Sequence, residues 1–212
     1  LAEAGADIVI LDIDEKTGEA AAAEIGTLGR NASFYRVDLT DYTAIAGTVD
    51  AIKRRYGRID ILLNNAGVVY KRQEGYGPGS IPTEDVAPDN WDFVIKVDLS
   101  AVFYCSQLAG RVMIEQKRGN IINVASMSGF VANLGRHNNA YCAAKAGVVS
   151  FTRQLAGDWA DYGIRVNGIA PGYMRTEMGA GPLEDPGIKD LIVKMTPMRR
   201  AGEPQDLKGL AV

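Results

Sequence analysis

Five short apolar runs alternate with segments of helical periodicity, and no other feature of this chain restricts its fold as strongly. The runs cover residues 7–12, 33–38, 59–64, 120–126 and 164–170. Helical patterns are expected between them at 15–28, 41–56, 88–117 (with a break near Asp98) and 139–161, and a mobile stretch is expected after 175. Strands separated by helices build a parallel sheet covered on both faces. The expected fold is therefore α/β, a doubly wound parallel sheet in a single domain over 1–212. No repeat or linker interrupts it, and the breaker-rich run from Gly75 to Pro82 reads as an irregular loop.

With 212 residues, 47% of them hydrophobic and 23% charged, the chain can bury one sizeable core. A net charge of -3 provides no electrostatic reason to expect nucleic acid or an acidic membrane surface as partner. No uninterrupted apolar run approaches the roughly 20 residues that span a bilayer, and no basic-then-apolar leader opens the sequence. A cytoplasmic protein is expected. Cys105 and Cys142 lack C-x-x-C spacing and read as reduced thiols, and with His137 as the single histidine no metal site is expected.

The chemistry concentrates in Tyr141-Cys142-Ala143-Ala144-Lys145. On a helix this spacing places a phenol and an ammonium on one face, about one turn apart. Ser126 ends the run Ile121-Ile122-Asn123-Val124-Ala125, where a buried strand opens into a loop. Hydride exchange between a carbinol carbon and a nicotinamide needs a group that passes a proton to or from oxygen. Tyr141 suits that task if the Lys145 charge draws its pKa down, and Ser126 can hold the reacting oxygen. By itself the pattern also describes a half-exposed aromatic and a solvated lysine on an ordinary amphipathic helix.

Two further motifs lie just past strand ends, where open parallel sheets bind ligands. They are Asn64-Asn65-Ala66-Gly67 and Pro171-Gly172-Tyr173-Met174-Arg175-Thr176. In this order and spacing, N-N-A-G, the serine, Y-x-x-x-K and P-G-Y-M-x-T resemble the short-chain dehydrogenase/reductase family. The resemblance runs from about residue 2 to the end. It implies a Rossmann-type domain, a nicotinamide cofactor, a small-molecule substrate, and a homotetramer or homodimer formed through the helices at 88–117 and 139–161.

The start of the chain departs from that pattern. Leu1 to Ala6 reads as the last turn of a helix closed by Gly5, so the family's first strand and glycine-rich phosphate loop are not in the sequence. In the family that strand is central, and its loss should expose apolar faces. Leu207 to Val212 reads as the start of a helix that the family follows with another strand. A trimmed piece of a longer protein is the expectation.

For the cofactor, Asp12 closes its strand where a carboxylate accepts from ribose hydroxyls and repels a 2′-phosphate, favouring NAD over NADP. No arginine lies within the next ten residues. Asp12 or Asp14 could equally cap the following helix. The resemblance places Ile13 beside Asp12, Asp38 and Leu39 at the adenine edge, and Asn65, Ala66 and Gly67 along the ribose. It places Pro171, Met174 and Thr176 near the nicotinamide amide, and gives Tyr141 and Lys145 cofactor contacts as well. Asp38 could instead cap the helix beginning near Asp41.

In the family's catalytic tetrad an asparagine stands where this chain has Asp98, within Lys96-Val97-Asp98-Leu99-Ser100. The resemblance assigns that residue's part mainly to its backbone carbonyl. The swap is therefore expected to be tolerated, with a pH–rate profile unchanged in Asp98→Asn. Ser128 rivals Ser126, and alignment of N-x-x-S-x-x-G on Gly129 favours Ser126. The polar loop Asn133 to Asn139 and the S-M-S-G arrangement resemble members acting on sugars, polyols and sugar acids such as gluconate. A 3-oxoacyl or hydroxysteroid-type reductase is the alternative enzyme, and a non-catalytic nucleotide-sensing or scaffold protein the alternative of another class.

Overall fold

Each consecutive pair of strands is separated by a helix-containing crossover, and every ladder is parallel, as such connections require. β1 (Ile8–Asp12) pairs with β2 (Ala32–Arg36), while β3 (Ile61–Asn64), β4 (Gly119–Val124) and β5 (Ile164–Ile169) form a second ladder in the order β3-β4-β5. This computed structural model describes residues 1–71, 73–76, 80–133, 136–176, 178 and 183–212. Strand ends fall within two residues of the sequence expectation. The one continuous sheet expected is divided: among the described residues no ladder joins β1 to β3. Ile61 and Leu63 of β3 are 38% and 40% exposed, whereas Ile121 and Ile122 of central β4 are buried.

Local chemistry sets the helix ends. Asp14 caps α1 (Glu15–Thr27) by accepting from the Thr17 amide, and Asp41 caps α2 (Tyr42–Tyr56) by accepting from Thr43 and Ala44. Gly57, at φ 74°, closes α2 in the left-handed conformation glycine tolerates best. Ile45, Val49 and Ile52 recur on the buried face of α2. There Ile45 and Val49 meet Val37 after β2, and Cys105, Leu108 and Val112 of α4 (Ala101–Gln116). Met113 of α4 turns instead to Ile121, Ile164 and Val166, so one helix packs against both ladders.

Before α4 runs α3 (Pro88–Ile95), which opens on a proline at its first turn. The break expected near Asp98 does not occur. Lys96–Ser100 continues the helix as a π-turn, with the Ala101 amide donating back to the Lys96 carbonyl. The resulting helix, Pro88–Gln116, has 29 residues and is long and apolar enough by length and composition to cross a membrane. Scanning for an uninterrupted apolar run missed it because polar residues are interspersed. Half of its most apolar window is buried within the protein.

α5 (Asn139–Asp158) ends sooner than expected and is followed by a 3-10 turn, Ala160–Tyr162. Beyond 175, where a mobile stretch is expected, α6 (Pro186–Met195) and a short helix, Lys208–Ala211, form. Glu177 and 179–182 lie outside the described residues, as do Arg72, Gly77 to Gly79 of the breaker-rich loop, and Leu134 and Gly135 of the polar loop. At the start, Ala2–Ala4 is a 3-10 turn closed by Gly5 at φ 97°.

Candidate active site

The C-terminal ends of the strands open onto a cleft of about 820 Å³. Asp12, Ile13, Asp38, Leu39, Asn65, Ala66 and Gly67 line one part of it, and Ser126, Tyr141, Lys145, Pro171, Met174 and Thr176 another. Residues separated by 164 positions in the chain thus share one wall system. Asp98 alone of the candidates is not on the surface of the cleft. It lies behind it, fully buried, with Oδ2 3.3 Å from Lys145 Nζ.

That pair is held from both sides. The Val68 amide donates to Asp98 Oδ1 at 2.7 Å, and Lys145 Nζ donates to the Val124 carbonyl at 3.1 Å. Burial pushes the Asp98 carboxyl above the usual aspartate range, opposed by the Lys145 charge and the Val68 bond. Beside the part implied mainly for the backbone carbonyl at this position, the carboxylate itself pairs with the lysine. Gly67 is the residue beside them, and a Cβ there would stand 3.2 Å from Asp98 Oδ2 and 3.3 Å from Lys145 Nζ.

Tyr141 and Lys145 do share a helix face, with the ammonium 5.5 Å from the ring centroid. The direction of the phenol's shift is opposite to the expectation. Burial raises its pKa first, the Ser126 hydroxyl lowers it by hydrogen bonding, and the Asp98 carboxylate raises it again. The negative partner of Lys145 sits against the lysine and counteracts the help expected from it.

Ser126, extended two residues past the end of β4, caps a 3-10 turn, Met127–Gly129, by accepting from the Ser128 amide. Its hydroxyl donates to Ser128 Oγ at 3.1 Å, while Asn133 Nδ2 donates to the same Ser128 oxygen at 2.7 Å. Both serines reach the cleft, and Ser126 is the one whose hydroxyl acts to lower the Tyr141 phenol's pKa. Gly129 brings this turn against α5. A Cβ on it would come within 2.8 Å of the Lys145 carbonyl oxygen.

The competing capping readings separate cleanly. Asp14, not Asp12, caps α1, and Asp12 instead accepts from the Asp14 amide at 3.0 Å at the rim of the cleft. Asp41, not Asp38, caps α2, and the Thr40 amide and hydroxyl hold the Asp38 carboxyl below the usual range. The absence of an arginine near Asp12 holds only along the chain. Arg36 is the direct partner of Asp12 in the β1–β2 register, and its Nε donates to the Ile13 carbonyl at 3.4 Å.

Motif reading also missed the scaffold behind the site. Asn64 and Asn123 are register partners in β3 and β4. Asn64 Nδ2 donates to Asn123 Oδ1 at 2.8 Å and to Ser106 Oγ at 3.0 Å, and Asn123 Nδ2 donates to Thr152 Oγ1 at 2.9 Å. This buried chain ties the strand that leads to Ser126 to the helix carrying Tyr141 and Lys145. The available signal was an amide inside the apolar run Ile121-Ile122-Asn123-Val124. Tyr70 adds a second tie by accepting from the Ala140 amide at 3.0 Å at the start of α5.

Both thiols are free, and burial pushes Cys105 up to about 11 and raises Cys142 as well. Among the described residues no group of three or more His, Cys, Asp and Glu side chains is placed to hold a metal ion.

A family model described as enoyl-(acyl carrier protein) reductase matches residues 1–212. Gluconate 5-dehydrogenase of Gluconobacter oxydans (strain 621H) is 34% identical over 212 residues, covering 100% of this chain and 78% of that protein. The chain belongs to the short-chain dehydrogenase/reductase family. As a member it is an oxidoreductase acting on CH–OH groups, on the family's Rossmann-type fold. Galactitol 2-dehydrogenase of Rhizobium johnstonii is 38% identical over 211 residues, with 98% of this chain and 77% of that protein covered. Among solved short-chain dehydrogenases, a gluconate 5-dehydrogenase from Burkholderia cenocepacia, in complex with NADP and tartrate, superposes with a TM-score of 0.90 at 35% identity. The match covers 100% of this chain and 78% of that one. NAD+-bound xylitol dehydrogenase superposes at 0.88 and 31% identity, covering 99% and 82%.

Proposed function

We propose that this protein interconverts a secondary alcohol and a ketone on a sugar, polyol or sugar acid, with NAD as its preferred hydride partner. The observation that carries this reading is the meeting of Ser126, Tyr141 and Lys145 in a cleft that continues to Asp12 and Asp38. The residues present suit a nicotinamide dinucleotide. Gly67 lines the cleft without a side chain that would crowd the Asp98–Lys145 pair, and Asp12 and Ile13 stand at a strand end suited to the adenosine ribose. Asp38 and Leu39 would meet the adenine edge, Asn65 and Ala66 the ribose, and Pro171, Met174 and Thr176 the amide. When bound, the nicotinamide accepts or donates the hydride.

The chain's own residues handle the proton. During oxidation Tyr141, as phenolate, takes the proton from the substrate hydroxyl as the C–H bond gives up its hydride; in reduction it returns that proton to the carbonyl oxygen. Ser126 donates a hydrogen bond to the same oxygen and fixes its position. Lys145 holds a positive charge beside the phenol and an N–H for the ribose. Asp98 positions Lys145.

Asp12 on the cleft supports NAD, since its charge opposes a 2′-phosphate. Arg36 is the competing influence, and the relatives' names and titles include both NAD and NADP. The polar side chains Asn133, Arg136 and Asn138 on the cleft support a hydroxylated substrate over an acyl chain or steroid. The reading extends to a cytoplasmic homotetramer or homodimer without nucleic-acid or membrane partners. Exposed Trp91 and Phe103 on the α3–α4 helix support association. Nicotinamide absorbance during incubation with alditols, aldonates, 3-oxoacyl thioesters and steroid ketones tests it. Turnover confined to the apolar compounds would reject the substrate class.

A further inference from the structure

Within the sugar class proposed above, on which this inference rests, we infer that the site reads a carboxylate on its substrate through Arg136, so that the preferred substrate is a polyhydroxy acid. The first observation is an unpaired buried donor. Arg136 lines the cleft, and its Nε is shielded from solvent without a hydrogen-bond partner. Among the described residues its side chain enters no salt bridge. A buried N–H without an acceptor costs free energy, and the cost disappears when a ligand supplies one. The planar guanidinium fork matches a carboxylate in two parallel hydrogen bonds, which a neutral hydroxyl cannot make.

The second observation is an unpaired acceptor on the same loop. Asn133 Nδ2 is committed to Ser128 Oγ at 2.7 Å, which fixes the amide, while its Oδ1 is buried with no partner. A cation seeking an anion and an oxygen seeking a hydroxyl thus stand near the acid–base group, since Asn133, Arg136 and Tyr141 line one cleft. A hydroxy acid supplies both complements. Tyr173, on the same wall, feels the positive charge of Arg136.

Charge along the cleft agrees. Asp12 and Asp38 lie in the part assigned to the adenosine, and Lys96 acts on Asp38 there. Lys145 is matched by Asp98. That leaves Arg136 without a carboxylate, together with Lys71, whose ammonium rests 4.1 Å from the Phe93 ring centroid and makes no salt bridge among the described residues. Entry of a neutral polyol would leave the Arg136 charge without a counter-charge, and entry of an aldonate would neutralise it.

The test compares kcat/KM for an aldonate and for the alditol of the same configuration, in the wild-type protein, Arg136→Met and Arg136→Lys. The ratio cancels any loss of folded protein. The wild type is expected to favour the aldonate, and Arg136→Met to lower the ratio by about 10- to 100-fold. Arg136→Lys, which keeps the charge without the fork, should fall between them. A wild-type ratio near one, or a ratio that Arg136→Met leaves unchanged, overturns the carboxylate inference while turnover of the alditol keeps the sugar-class reading. Turnover of neither compound overturns both.

Discussion

Lys145 and Asp98 form an ion pair at 3.3 Å with side chains 3% and 0% exposed, directly behind the wall that carries Tyr141. A surface pair at this distance would contribute little. Removed from water, the Lys145 ammonium opposes the burial that raises the Asp98 carboxyl, and the pair fixes where positive charge sits relative to the phenol.

Asp98→Asn should therefore move the pH profile, contrary to the unchanged profile expected from the sequence. The Asp98 charge opposes ionisation of Tyr141, so its removal lowers the phenol pKa. The base form then appears at lower pH. In alcohol oxidation, kcat/KM should reach half its maximum at lower pH than in the wild type. A profile that stays in place, or moves to higher pH, contradicts this coupling.

Lys145→Met leaves a carboxylate buried without its cation, which should cost about 3–5 kcal/mol of stability. Combining it with Asp98→Asn should recover part of that loss without restoring turnover. Urea unfolding of the wild type, both single variants and the double variant measures the coupling. Strict additivity would show the two charges to be independent.

Gly129→Ala should act on the site through the backbone. Its new methyl would meet the Lys145 carbonyl oxygen at 2.8 Å, and backbone cannot swing aside as a side chain can. The turn bearing Ser126 must lift from α5, at about 1–3 kcal/mol and with a lower kcat. Thermal unfolding and steady-state kinetics together check it; an unaltered kcat would show that the turn tolerates displacement.

Asp12→Ser should shift cofactor preference towards NADP. The substitution removes the carboxylate that opposes a 2′-phosphate and leaves Arg36, its register partner. The ratio of kcat/KM for NADP over NAD should rise by about tenfold or more, equivalent to about 1.4 kcal/mol. An unchanged ratio would place discrimination elsewhere.

The alternation of strands and helices was legible because parallel crossovers impose it, and the proton-handling residues were legible because Y-x-x-x-K spacing matches one helical turn. What stayed hidden depends on pairing across space. Arg36 lies 24 positions from Asp12 and becomes its neighbour only through the register of β1 and β2. The π-turn at Lys96–Ser100 carries no breaker residue to announce it. Asp12 and Asp14 are both plausible caps by type, and only the backbone direction selects Asp14. The sign at Tyr141 needed the location of Asp98, whose identity was legible but whose contact with Lys145 was not.

The most direct measurement is turnover and cofactor binding in Tyr141→Phe, which removes one hydroxyl and keeps the ring. If Tyr141 exchanges the proton, kcat should fall by about 10²- to 10⁴-fold while the dissociation constant for the nicotinamide cofactor changes little. Wild-type kcat in Tyr141→Phe would contradict the acid–base assignment on which the proposed reaction rests.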